Sequence, residues 1–198
     1  MSRIYVLQAE DIAIAAARMK VDINYIGILD EKTKRKLEDN HVFIRDWWTE
    51  GELHTRRLQR LYHQLMPGDT LFLADDLPLE QRETAIRYAK ERSALTVFVQ
   101  LNGMDNSFNR AASSTNCFTD IVIHYKQDDE REGNDIQTAA NKFAIERIEL
   151  AANENIIGLS GALALCLLNG LRGKTAAEFY RKAAKFKELP WYDEVAYS

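Results

Sequence analysis

The chain contains only two cysteines, Cys117 and Cys166, in 198 residues. They stand far apart with no metal-type spacing, and neither has a neighbouring His base, so both are expected to be structural thiols. Long apolar runs are missing too. The longest, "IIGLSGALALCLL" from Ile156 to Leu168, has 13 residues, against the roughly 20 that a membrane-spanning helix needs. It predicts a buried helix. No leader with a basic head and an apolar core is present, so the cytoplasm is the expected location. Charge of one sign is not in excess: Lys and Arg number 26 against 30 Asp and Glu, for a net charge of −4. The total therefore gives no push toward nucleic acid or anionic lipid, and a DNA contact would need a local patch. The histidines, His41, His54, His63 and His124, form no HxH or HxxxH pair. No metal is expected and no cofactor is predicted; no G-x-G-x-x-G supports a dinucleotide, which leaves the ligand open.

Against these absences stands a chain that is 46% apolar, enough for an ample core. Strand and helix signals alternate along it. "RIYVLQ" is a run of β-formers, and in "AEDIAIAAARMK" the residues Ile12, Ala15, Ala16 and Met19 share a helical face. "DINYIGIL" and "HVFIRDWW" predict strands flanking a charged, solvated helix, "DEKTKRKLEDN". Leu53, Arg57, Leu61 and Leu65 are spaced by four along an amphipathic helix that ends at Pro67 and Gly68. "DTLFLA" and "LTVFVQL" lack alternation, as strands covered on both faces do, and Pro78 suits the first turn of the helix between them. "FTDIVIHY" predicts a further strand. The expectation is an α/β fold, a three-layer, mostly parallel sheet covered by helices, over residues 1–134. Residues 135–198 are expected to form a helical extension, beginning with "IQTAANKFAIERIELAANEN" as one helix. The polar stretch 102–117 predicts a long loop.

Several residues invite a chemical reading. Asp75 and Asp76 follow a buried strand, where ligands gather in open α/β sheets. Adjacent carboxylates can split their pKa values or hold a hard cation, although acidic residues before a helix are also ordinary N-terminal chemistry. Arg82, nearby in sequence, is a candidate partner for a phosphate or carboxylate. "NGLRGKT" ends like a phosphate loop but lacks its leading glycine and follows an apolar helix, which predicts a helix–turn–helix junction. Basic residues gather in two sets that suit DNA phosphates, or equally a solvated helix face. One set is Arg56, Arg57 and Arg60; the other is Arg172, Lys174, Arg181, Lys182, Lys185 and Lys187.

The order of these segments over residues 1–105 resembles the catalytic domain of the serine recombinases, the resolvases and DNA invertases. Tyr5 matches the tyrosine of Y-x-R-V-S-T, Asp46 and Gly51 approximate D-x-x-S-G, and Leu58 fits R-P-x-L. Gly68, Asp69 and Leu71 match G-D-x-L-x-V. On this register the nucleophilic serine is Ala9 and the preceding arginine is Leu7, while Thr55, Pro78 and Gln81 stand at other arginine positions. Alanine has no oxygen to attack a phosphodiester, so the resemblance implies a fold without strand cleavage.

Two functions are thereby expected. One is a non-catalytic recombinase-like protein of a mobile element, a homo-oligomer acting through self-association and potential DNA contacts, with Trp47, Trp48, Trp191 and Tyr192 either at its interfaces or equally in its core. The alternative is a Rossmann-like small-molecule or nucleotide-binding enzyme that uses Asp75, Asp76 and the polar loop around Asn102 to Asn109, with Arg82 as a phosphate or carboxylate partner.

Overall fold

The computed structural model describes residues 2–48, 55–101, 119–125 and 146–185. Among these residues seven strands form a sheet in which every described pairing is parallel. In chain order they are β1 (Ile4–Leu7), β2 (Ile23–Ile28), β3 (Phe43–Trp48), β4 (Thr70–Ala74), β5 (Leu95–Val99), β6 (Ile121–Tyr125) and β7 (Glu146–Leu150). The sheet order is β3-β2-β1-β4-β5-β6-β7. Six helices accompany them: α1 (Glu10–Arg18), α2 (Glu31–Asp39), α3 (Thr55–Gln64), α4 (Leu79–Glu91), α5 (Ile156–Leu168) and α6 (Gly173–Lys185). This is the α/β, helix-covered parallel sheet that the alternating signals predict.

By compactness the chain divides into two units, residues 1–52 with 155–198, and residues 53–154. In the first unit every residue of β1 is buried, so its side chains are covered on both faces. Helix α1 carries Glu10 and Asp11 in its first turn, where negative charge meets the positive end of the helix dipole. Helix α2 is the solvated helix expected: Leu37 is its only buried residue, and the Asp30 carboxylate caps it by accepting from the Thr33 N–H at 2.6 Å. Apolar α5 is buried along most of its length and packs on α1. At Gly161 a Cβ would lie 2.9 Å from the Ala15 carbonyl carbon, so only glycine admits this close approach.

In the second unit, the Pro67–Gly68 turn that follows α3 has Gly68 at φ 86°. The Asp69 carboxylate accepts from the Met66 N–H at 2.9 Å, and the Gly68 N–H donates to the Ser93 carbonyl at 3.1 Å. Arg92 fastens α3 to the end of α4: its Nε donates to the Leu65 carbonyl at 3.0 Å and its guanidinium lies 5.3 Å from the Tyr62 ring centroid. Strand β4 is buried throughout.

One element corrects the sequence reading. Residues 146–150, expected within a long helix of the 135–198 extension, form β7, which pairs with β6 from Ile121↔Glu146 to Tyr125↔Leu150. Ile148 and Leu150 are buried while Arg147 and Glu149 take the other side, the alternation of a strand with unlike faces. Residues 136–145 of that expected helix lie outside the described residues.

Candidate functional site

Strand β4 stops at Ala74, and the chain turns through Asp75 and Asp76 before Pro78, at φ −52°, opens α4. Asp75 is half-buried. Its Oδ1 accepts the Leu101 N–H at 2.9 Å, which ties the turn to the residues just past β5. Asp76 has an exposed side chain, yet its carboxyl is pushed up to about 6, by desolvation first and by repulsion from Asp75 second. Backbone N–H groups of Asp76 and Leu77 and the Arg82 guanidinium pull the other way. Solvent exposure limits what desolvation does here, but the like charge of Asp75 raises the carboxyl in any case. A carboxyl in this range exchanges its proton near neutral pH, as a general acid or base must.

Arg82 sits one helical turn into α4, its N–H bonded to the Pro78 carbonyl at 3.0 Å. It is only 4% exposed, and its guanidinium carbon lies 5.6 Å from the Phe98 ring centroid, a cation–π contact. The sequence candidates Asp75, Asp76 and Arg82 thus come together at the carboxyl end of β4.

The same end of the sheet carries residues that the sequence reading missed. Paired residues of a parallel ladder share a face, and the register aligns Phe98 with Val122 and Val122 with Arg147. Two residues further on, His124 pairs with Glu149. Gln100 extends the β5 ladder by donating its N–H to the Ile123 carbonyl at 3.0 Å. Gln100, His124 and Glu149 therefore form a polar row across the carboxyl ends of β5, β6 and β7, on the face that Arg82 covers at Phe98. His124 Nε2 lies 3.9 Å from Glu149 Oε1. Burial draws the Arg147 guanidinium below its ordinary value, and Glu149 opposes that. The signal in the sequence is that the apolar runs of β5 and β6 each halt at a polar residue, Gln100 and His124. Glu149 was hidden inside the expected helix.

The remaining candidates do not join this group. Arg56 is exposed and Arg57 half-buried on α3, in the second unit. Arg172, Lys174, Arg181 and Lys182 are exposed residues of the first unit, before or along α6. Lys185 ends α6, while Lys187, Trp191, Tyr192, Cys117 and the 102–117 loop lie outside the described residues. "NGLRGKT" is the turn between α5 and α6, with Gly170 at φ 73°, and so a helix junction as expected. Ala9 is the buried residue preceding α1. Burial pushes the Cys166 thiol up, as suits a structural cysteine. Among the described residues no group of three or more His, Cys, Asp or Glu could hold a metal ion, and no helix is long and apolar enough to cross a membrane.

No protein-family model matches the chain, and no curated protein sequence matches it. Solved structures do share its fold. Ribokinase from Arabidopsis thaliana, complexed with ribose and ATP, superposes with a TM-score of 0.65 at 10% identity, covering 93% of this chain and 92% of that one. Phosphofructokinase-2 from Escherichia coli in complex with fructose-6-phosphate gives 0.63 at 13% identity over 91% of each chain. The tetrameric inhibited form of the same enzyme gives 0.64 at 13% identity, over 99% of this chain and 100% of that one. These neighbours overturn the serine recombinase resemblance and, with it, the mobile-element and DNA-binding roles drawn for the two basic sets. The matched "GDTL" has a simpler origin: Gly68 supplies a left-handed turn and Asp69 caps it, a need of any helix that leads into a buried parallel strand. The chain has the fold of phosphofructokinase-2 and ribokinase.

Proposed function

We propose that this protein is a small-molecule enzyme whose site lies at the carboxyl end of β4 and β5, with Asp76 as its proton-handling group. The observation that carries this reading is the Asp76 carboxyl, pushed up to about 6 beside Asp75 at a strand end. Asp75, held by the Leu101 N–H, keeps the turn in place, and Arg82 supplies positive charge that tempers the carboxyl. A substrate hydroxyl placed against the ionised Asp76 carboxylate would pass it a proton as the hydroxyl oxygen bonds to an electrophilic centre, from which the leaving group departs with the electron pair of the bond that breaks. Because the fold holds ribose and ATP in one neighbour and fructose-6-phosphate in another, sugars, sugar phosphates and nucleotides are the first ligands to test.

The test is a thermal-shift panel of ATP, ADP, ribose and fructose-6-phosphate on the wild type and on Asp76→Asn. A saturable rise in melting temperature with one of these ligands supports a site. If turnover with that ligand persists in Asp76→Asn at the wild-type rate and pH dependence, the role given to Asp76 is wrong.

Self-association is part of the same reading. Phe43 and Trp47 on the edge strand β3 are 58% and 52% exposed, and exposed aromatics of that size favour an interface.

A further inference from the structure

Strand β3 ends the sheet order, so among the described residues it has a neighbouring strand on one side only, β2. Its register is broken once. Ile44 pairs with Tyr25 and Asp46 with Ile26, which makes Arg45 the extra residue of a β-bulge. The bulge changes which way the aromatics point. Phe43 pairs with Asn24 and Trp47 with Gly27, three residues apart on β2, so the two exposed side chains stand on opposite faces of the sheet. A contact made through one face can bury only one of them. A strand laid along the edge would cover both at once, and an edge with exposed aromatics is a template for such strand addition.

The backbone at the same point decides whether that template is open. The Trp48 carbonyl accepts the Leu29 N–H at 3.0 Å, so the peptide groups of Trp48 point to β2. Those of Trp47, one residue earlier, point the other way, to the side where an added strand would bond. The Asp46 side chain takes that position first: its Oδ1 accepts the Trp47 N–H at 2.9 Å. We propose that Asp46 is an edge cap, which occupies the outward Trp47 donor and, with the bulge at Arg45, closes β3 to strand addition by a second copy. An incoming strand would have to break a charge-assisted bond before it could make its own. Copies that join through Phe43 or Trp47 then do so by packing side chains on one face, without continuing the sheet. The cap is independent of Asp76 and of any ligand.

The experiment follows hydrogen exchange at the Trp47 amide by NMR in the full chain over a range of protein concentrations, with sedimentation velocity on the same samples. Wild type is compared with Asp46→Asn, which keeps an oxygen acceptor without the charge, and with Asp46→Leu, which keeps the bulk without an acceptor. In the wild type the Trp47 amide should be protected to the same degree at every concentration. Asp46→Asn should retain part of that protection and associate no more than the wild type. In dilute Asp46→Leu the protection should fall about tenfold, as the loss of one charge-assisted bond does. It should return as concentration rises and larger species form. A Trp47 amide without protection in the dilute wild type overturns the cap, whether or not the variants fold. Wild-type protection that grows with concentration overturns it too, since the edge is then already open. A folded Asp46→Leu that keeps the protection, or loses it without associating, does the same. If Asp46→Asn associates as strongly as Asp46→Leu, charge repulsion guards the edge and the cap is wrong.

Discussion

Replacing Asp76 by Asn separates the carboxyl's electrostatic burden from its shape. The protein raises this group from 3.8 to about 6, so the folded state holds the proton more tightly than the unfolded chain does. That stabilisation is fully present below pH 3.8 and is lost as pH rises through about 6. Counted in full, such a shift corresponds to about 3 kcal/mol. Because the side chain is exposed, solvent screening leaves on the order of 1 kcal/mol. In a chain of this length that is roughly 2–4 °C of melting temperature. Asn keeps the outline of the side chain but neither titrates nor repels Asp75. Melting curves of wild type and Asp76→Asn, measured at constant ionic strength from about pH 4.5 to pH 8, should therefore diverge. The variant should gain those few degrees on the wild type as the pH increases through 6. Parallel curves, offset by a constant amount at every pH, would refute the reasoning, since they would mean that folding leaves the Asp76 proton affinity unchanged.

Gly161→Val places a side chain where even a Cβ meets the Ala15 backbone at 2.9 Å. It should cost about 1–3 kcal/mol through overpacking between α1 and α5, and an unchanged melting temperature would show that these helices yield easily. If Phe43 and Trp47 join copies of the chain, light scattering should report an oligomer that Trp47→Lys dissociates. A wild-type monomer at high concentration would count against that role.

The buried strands were legible because their physics is local. "TLFLA" and "LTVFV" have no polar residue to place on an open face, so each announces a strand covered on both sides. The solvated α2 was equally plain from its charge. Strand β7 was not, because "ERIEL" satisfies a helical spacing as readily as a two-residue alternation, and pairing with β6 decides between them. Asp75, Asp76 and Arg82 could be proposed together because a strand end, a turn and a helix start are consecutive in sequence. The His124–Glu149 pair joins two strands separated by a long segment, and only the register makes them neighbours. The short recombinase match misled for the opposite reason: four residues that solve a common turn problem recur in unrelated chains.

The division of the chain also bears on the order of its folding. Residues 53–154 are contiguous and can reach their compact form while later residues are still on the ribosome, whereas residues 1–52 wait for α5 to emerge before Gly161 can close on Ala15. Until then α1 exposes the face that α5 will cover, including Ala15. Residues 1–52 are thus completed only when residues 155–198 join them.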